Sequence, residues 1–555
     1  PPRTRFLLRM YEDIGKGLKW LETRYSVVLK WALGHRKTVV FTAAGLFAAS
    51  IPLFMSIGVN FMEHPDDGRI RCSVQHAVGT DLPTTMATLN MMEEIIKKEV
   101  PERTTVYVNA GASGGIVAAL QGLDTHSGEI QVKLVPLQDR DRSKSEIQDA
   151  LRARFDKIPG IKYNFQQDSG PGMGGADIEV RFFGDDLDVI GNLADSTVAI
   201  AKKIPGAVDA RSNLDRGAPE LQIRLDRDRL QAVGLTAGQV SAAVSTAIQG
   251  ATATRYREAG EEYNIFVRFA EEFRRSPEQL ENLIIATPAG ALIPLRQVAD
   301  VRREVAPIAI FRENQGRVAT VSIGVSGRDL GSVTKDVEKA ISKLNIPNDV
   351  IMEVGGGAED LRESFRYLGL AILAGIVLVY MVMASQFESL VDPLIIGTTV
   401  PLSFIGVAIA LAITGTTVSV MALLGMLMLV GIVVNNGIVL VDFTNQMMRL
   451  EHKELFEAAY EAGKTRLRPV LMTALTTIMG MFPLSLGLGE SGESWAPLAR
   501  AVMGGLLFAT LMTLIVVPVV YTLFETMAIR FRAWRDRRTA RKHPELVVEE
   551  GAQLM

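Results

Sequence analysis

Apolar and polar positions follow three rhythms along this chain. Residues 58–365 mix charged side chains with short alternating or helically spaced apolar stretches, whereas 38–57 and 367–525 are almost wholly apolar. About 20 apolar residues rising 1.5 Å each cross the hydrocarbon of a bilayer. The run TVVFTAAGLFAASIPLFMSI at 38–57 has that length and no charge, and five more spans read at 367–385, 393–414, 417–443, 467–488 and 498–525. Ahead of them, Leu18, Trp20, Leu21, Tyr25, Val28, Leu29 and Trp31 are spaced between charges, which predicts an amphipathic helix on a membrane surface within 1–37. An ordinary solvated helix is the competing reading.

Between the first and second spans the periods change to two and 3.6. GRIRCSVQH (68–76) alternates as a strand. DLPTTMATLNMMEEIIKKE (81–99) opens on Asp81 with Pro83 in its first turn and continues at helical spacing. TTVYVNA (104–110) and EIQVKLVP (129–136) predict strands, SKSEIQDALRARFDKI (143–158) a helix, and IKYNFQQ (161–167) a strand. The order β-α-β-β-α-β is a split βαβ unit. After a glycine-rich joint, SGPGMGGA (169–176), a second copy begins with strand 177–184, helix 186–204 and strand 207–213. Its remaining strand, helix and strand come at 318–326, 330–345 and 349–356, so 216–314, read as strand-rich with turns, is inserted into it.

Charge sets the direction of the spans. The first 37 residues carry nine Lys/Arg, the 444–468 connection five and the 526–543 tail seven, whereas 481–499 carries none. By the positive-inside rule both termini and the 444–468 connection face the cytoplasm, and the large region after the first span lies outside. A net charge of −3 gives no reason to expect nucleic-acid binding, and a single cysteine, Cys72, excludes an intrachain disulfide. The chain opens on Pro1-Pro2 with no cleavable signal, which suggests a processed chain or a piece of a longer one.

Candidate chemistry concentrates in TVSVMALLGMLMLVGIVVNNGIVLVDF (417–443), where Asn435 and Asn436 sit inside the apolar run. Polar groups at membrane depth need partners in a helix bundle and are functional candidates by default. Amides that merely join neighbouring helices are the alternative. Asp442 follows Asn435 by seven residues, on roughly one face and near the cytoplasmic boundary, where a solvated helix end competes with a relay role. Arg466 and Thr473, also seven apart, lie on the next span; Arg466 taken alone reads as an ordinary cytoplasmic helix end under the positive-inside rule, but facing the amides the two can neutralise and donate to a carboxylate brought from elsewhere. No span carries an acid in its interior.

The motifs GIVVNNGIVLVDF (431–443), RLRPVLMTALTTIMGMFPL (466–484), VMGGLLFATLMTLIVVPVVY (502–521) and ELQIRLDRDRLQAVGLT (220–236) together resemble the resistance–nodulation–division (RND) superfamily of efflux transporters. The likeness is to the C-terminal half of a hydrophobe/amphiphile branch member. It implies an α+β membrane protein of the bacterial inner membrane, with six transmembrane helices and a large periplasmic region of split-βαβ porter subdomains and an inserted docking domain. On the sequence these are a cytoplasmic amphipathic segment 1–37, one helix at 38–57, porter subdomains at 58–168 and at 177–215 with 315–357, a docking domain at 216–314, five helices within 366–525 and a cytoplasmic tail 526–555. The resemblance further implies a proton antiporter without a cofactor, a trimer in membrane lipid, a periplasmic adaptor and an outer-membrane channel. Asn435, Asn436, Arg466, Thr473 and Asp442 are then the proton-relay set, whose paired acids belong to an N-terminal half. Well-known drug pumps of the family have lysine where this chain has Asn435. Their often aromatic pocket loop is here VNAGASGG (108–115), with Asn109, Gly111 and Ser113 as its pocket positions, which suits aliphatic or lipidic cargo over planar drugs.

Other constellations are weaker. Glu63, His64, Asp66 and Asp67 are of metal-ligating type, but a solvated linker explains them. A heavy-metal exporter of the same superfamily would want grouped methionines, whereas Met173 stands alone and Met91 and Met92 lie on a helix where packing accounts for at least one. Gly170, Gly172, Gly174 and Gly175 lack the strand-to-helix context of a phosphate loop and read as a hinge. No nucleophile–base set supports an enzyme. A membrane scaffold that assembles an envelope complex, and a protein-translocation accessory, are the readings from other classes.

Overall fold

The computed structural model describes residues 19–62, 66–111, 125–166, 176–214, 218–306, 310–488 and 492–542. Six of its helices are long and apolar enough to cross a membrane by length and composition: Arg36–Ser56, Gly357–Phe387, Val391–Thr414, Val420–Leu450, Leu455–Ser485 and Gly492–Arg530. They are called the first to sixth spans below. Several outrun the apolar stretches that announce them, because the helices continue through charged turns such as Glu457–Lys464 in the fifth.

The sixth span is the hub, packing on the third, fourth and fifth. Lipid tails are as apolar as leucine, so helices in a bilayer associate through close backbone approach rather than hydrophobic expulsion. Glycines supply that approach here. A Cβ built at Gly406 would lie 2.3 Å from the Gly504 carbonyl oxygen, one at Gly504 2.2 Å from the Ala410 Cβ, and one at Gly505 2.1 Å from a Leu429 methyl. The first and second spans are barely buried and form the rim. The helix over 19–34 sets Leu29, Ala32 and Leu33 into the bundle core, and Tyr25 Oη donates to the Leu514 carbonyl at 2.8 Å. Its other face leaves Trp20 and Trp31 exposed. The apolar face predicted to meet lipid is thus divided between protein and surroundings.

Outside the bundle, the first unit is a four-stranded antiparallel sheet in the order Arg103–Ala110, Ser127–Leu134, Arg69–His76, Ile161–Gln166. Helices Leu82–Glu99 and Lys144–Phe155 lay Leu89, Met92, Ile96, Ile147, Leu151 and Phe155 on it, all buried. The second unit repeats this order with Ala207–Ser212, Gly316–Val325, Ile178–Phe183 and Ile351–Gly355. Between its second and third strands in sequence sits a separate domain with its own core around Leu230, Val240, Leu283, Leu295 and Val298. That domain has the strands its sequence suggests and helices besides. Strand Ala218–Leu225 ends at Asp226, whose carboxylate accepts from the Asp228 and Arg229 amides and starts helix Arg227–Ala232; helix Ala237–Ile248 follows.

Two seams join these parts. At the first, the linker after the first span is sewn to both neighbours. Asn60 Nδ2 donates to Thr417 Oγ1 at 3.3 Å, and its Oδ1 accepts from the Leu330 amide at 2.7 Å. Val59 N–H donates to Asp329 Oδ2 at 3.2 Å, while Val418 N–H donates to the Gly58 carbonyl and Asn60 N–H to the Val418 carbonyl. Gly58 permits the approach, since a Cβ there would stand 2.8 Å from the Asp329 Cβ.

At the second seam, Arg152 of the first unit holds Asp209 of the second through Nη2–Oδ2 at 3.0 Å and Nε–Oδ1 at 3.3 Å. The same guanidinium stacks over Phe165. Asp209 takes a left-handed backbone, φ +52°, which Asp and Asn tolerate better than other side chains.

Two outcomes follow for stability. Gly504→Leu overpacks the third–sixth helix crossing and lowers bundle stability by about 3 kcal/mol, whereas Gly431→Ala, with open space around it, is neutral; melting in detergent followed by size-exclusion chromatography reads the difference. Asp209→Ala strips a mostly buried guanidinium of its bidentate partner and costs about 3 kcal/mol, while Asp209→Asn loses less. Limited proteolysis of the two units checks the ranking, and equal protection of Ala and wild type would refute it.

Candidate functional site in the membrane bundle

The fourth and fifth spans are an antiparallel hairpin, and this sets which polar residues meet. Ser419 caps the fourth span, its side chain accepting from the Ala422 amide. Asn436 lies 17 residues further on, about 25 Å along the axis. It is buried, 6 % exposed, and its Oδ1 stands 3.4 Å from Thr473 Oγ1 of the fifth span. That contact is at the long end of hydrogen bonding. The Thr473 hydroxyl lies closer to the Val470 carbonyl of its own helix, at 3.0 Å. Seven residues along each helix a second rung forms, in which the guanidinium of Arg466 lies over the Phe443 ring, 4.2 Å from its centroid. Pro469 stands between the two rungs and, lacking an N–H, leaves the Thr465 carbonyl without its helical donor.

Of the relay positions expected from sequence, Asn436, Arg466 and Thr473 thus share the hairpin interface. Asn435 and Asp442 do not. Both are exposed on a different face of the fourth span, where Asp442 accepts from Gln446 Nε2 at 2.9 Å. The phase explains it: the 100° step that turns Asn436 inward turns its neighbour away.

Arg466 has no ion-pair or hydrogen-bond partner among the described residues, and its buried Nε is unsatisfied. Other arginines of the bundle differ. Arg500 donates to Thr416 Oγ1 at 2.7 Å and to the Ser485 carbonyl at 3.0 Å. Arg36 stacks over Phe456 at 4.3 Å and also donates to the Thr522 carbonyl and Thr526 Oγ1. The site therefore offers a cation, an amide and a hydroxyl, all suited to receive an anion.

A second polar set escapes sequence reading. Asp392 accepts from Asn445 Nδ2 at 3.3 Å, and the buried Tyr521 hydroxyl donates to Asn445 Oδ1, tying the third, fourth and sixth spans at their inner ends. Its members are scattered over 130 residues and no local spacing links them. Phe443 carries no sequence signal either, because an aromatic at helical spacing looks like core.

The other candidates lie outside the bundle. Asn109 sits within strand Arg103–Ala110 opposite Glu129. Gly111, φ +69°, follows it and donates to the Ser127 carbonyl at 2.8 Å. Ser113 lies outside the described residues, as do Glu63, His64, Met173 and the 169–175 glycines. Asp66 accepts from the Lys144 amide at 2.7 Å and pairs with Arg140, and Asp67 pairs with Lys144 Nζ, so both fasten a loop. Among the described residues no three His, Cys, Asp or Glu group as metal ligands would. Met92 is core, whereas Met91 is exposed. A cavity of about 830 Å³ in the inserted domain, floored by Ile223, Val240 and Val244 and edged by Arg274, Arg275 and Arg303, is remote from the membrane residues in the fold.

Comparison with known proteins fits this architecture. Residues 2–525 match the model of the AcrB/AcrD/AcrF family, and the chain belongs to that family of RND-type efflux transporters, which are secondary transporters and not enzymes. It is 31 % identical over 533 residues to the cobalt-zinc-cadmium resistance protein CzcA of Cupriavidus metallidurans, covering 93 % of this chain and 50 % of that protein. It is 27 % identical over 523 residues to the multidrug resistance protein MdtC of Yersinia pseudotuberculosis, with the same coverage. A crystal structure of a heavy metal efflux pump superposes with a TM-score of 0.81 at 28 % identity, over 92 % of this chain and 53 % of that one. The chain spans about half the length of the relatives it matches.

One chemical outcome is local to the first unit. Burial, and after it the charge of Asp209, pushes the Cys72 thiol up, so little thiolate exists near neutrality. A maleimide at about pH 8 labels Cys72 only after unfolding; rapid labelling of native protein would contradict this.

Proposed function

We propose that this chain supplies one half of a proton relay that drives export of amphiphilic or lipophilic compounds, with Arg466, Asn436 and Thr473 receiving carboxylates from the remaining length of the pump. The carrying observation is Arg466, a cation inside the bundle with an aromatic face beside it and no anion among the described residues. A buried donor without an acceptor calls for a partner, and an acid from the remaining length of the pump would supply it. When that acid is ionised it pairs with Arg466; when it takes a proton the pair dissolves and the helices rearrange. In this relay Asn435 and Asp442, which lie on another face of the fourth span, take no part. On this reading the 58–168 and 177–215/315–357 units are periplasmic porter subdomains and 216–314 a docking domain. The pump is a trimer in the bacterial inner membrane, served by a periplasmic adaptor and an outer-membrane channel.

Amphiphilic cargo is favoured by the loop glycines at 111, 114 and 115 and by the burial of Cys72 and Met92. A second reading, export of divalent metal, is favoured by likeness to a cobalt-zinc-cadmium resistance protein and to a heavy metal efflux pump.

The test expresses the chain together with a matching N-terminal half in cells lacking their own pumps, following efflux of a lipophilic dye and tolerance of zinc, cobalt and cadmium. Dye efflux without metal tolerance is expected; the reverse would establish the metal reading. Arg466→Ala abolishes efflux while assembly, read by size-exclusion chromatography, is kept, and Asp442→Asn leaves efflux intact. A scaffold would keep its complexes and phenotype in the Arg466→Ala variant, and that result would refute the relay.

A further inference from the structure

We propose that Phe443 is the resting place of the Arg466 side chain: it holds the guanidinium whenever the relay acid is protonated and releases it when that acid ionises. The inference rests on the relay reading above and adds a positioning residue to it.

The geometry is specific. The guanidinium carbon stands 4.2 Å from the ring centroid of Phe443, on the neighbouring helix and half-buried. A ring face attracts a cation through its quadrupole, most strongly where water is excluded. Arg36 shows what a fixed arginine looks like here, since its ring contact with Phe456 is supplemented by two hydrogen bonds that anchor the side chain. Among the described residues Arg466 has the ring alone, and its Nε is buried without an acceptor. A ring contact with no hydrogen bond fixes neither direction nor depth. It keeps the cation from wandering but is weaker than a bidentate carboxylate bond, so an arriving anion wins.

The charged groups on the elements packed around Arg466 do not compete for it. Along its own helix, Arg468 is held by Glu22 of the 19–34 helix, and Glu461 by Lys453. On the fourth span, Asp442 is exposed and bonded to Gln446, and Arg449 is exposed. From the 19–34 helix Tyr25 is committed to the Leu514 carbonyl. On the sixth span, Glu525 is half-buried toward the inner end and makes no ion pair with Arg466.

The sign of the effect follows from linkage. The ring stabilises the state in which Arg466 is away from the acid, which is the protonated state, so it raises the apparent pKa of the relay. Phe443→Leu removes the ring at similar volume and moves the midpoint of proton binding to lower pH, by on the order of one unit. Phe443→Trp, with a stronger ring, moves it to higher pH, and Phe443→Tyr leaves it near wild type.

The experiment reconstitutes the chain with its N-terminal half in proteoliposomes and measures substrate-induced proton release against pH for Phe443→Leu, Phe443→Tyr, Phe443→Trp and Arg466→Ala. Size-exclusion chromatography before reconstitution admits only assembled variants. The expected result is a midpoint rising in the order Leu, Tyr or wild type, Trp, with no coupled release in Arg466→Ala. A midpoint that does not move across the assembled Phe443 series, with Arg466→Ala still inactive, overturns the resting place and leaves the relay standing. Coupled release in Arg466→Ala overturns both. Loss of assembly in Phe443→Leu leaves Trp against Tyr to decide, since both keep a ring of comparable bulk.

Discussion

A guanidinium inside a membrane bundle is the constraint on which the rest of this structure depends. Its Nε is buried without an acceptor among the described residues, and polar groups within a membrane bundle need partners from neighbouring helices. The fourth and fifth spans form a hairpin whose two rungs place a neutral amide against a hydroxyl and a cation against a ring. Arg36 and Arg500 each donate to two oxygen acceptors, whereas Arg466 has none among the described residues. Around the hairpin, the glycine-lined crossings of the sixth span give a rigid frame against which one side chain can move.

Much of the secondary structure was legible because it rests on local rules. Asp81 and Pro83 announced the helix at Leu82–Glu99, and strict alternation marked Arg69–His76. The spacing of Asn436, Arg466 and Thr473 on two adjacent spans was enough to suggest a shared interface, although Arg466 meets Phe443 there and not the amide. What failed to read out is tertiary. Asn435 and Asn436 are equivalent by composition, and only the packing of the hairpin decides that one faces the fifth span and the other does not. Phe443 is indistinguishable from core until a cation is seen above it. The set formed by Asp392, Asn445 and Tyr521 joins three helices that no sequence period connects. In the inserted domain, alternation through 220–230 concealed a turn at Asp226, since a capping carboxylate outweighs strand propensity there.

Substrate choice is the least legible part, for a physical reason. Relatives named for metal and for multidrug resistance align over the same extent of this chain. The bundle and the two sheet units are frameworks that bury their own apolar residues, and their sequences record that burial first. The pocket positions implied by the family resemblance are small here, such as Gly111, and small side chains record little about what they touch.

The seam at Asn60 carries a mechanical implication. One amide side chain bonds both the residue beside the start of the fourth span and the first turn of the Leu330–Ile341 helix, with backbone bonds from Val59 and Val418 reinforcing it. A screw-like turn of the span that bears Asn436 would load this seam first, and the pull would fall on the tip of that one helix, much as a crankpin converts rotation of a shaft into a stroke.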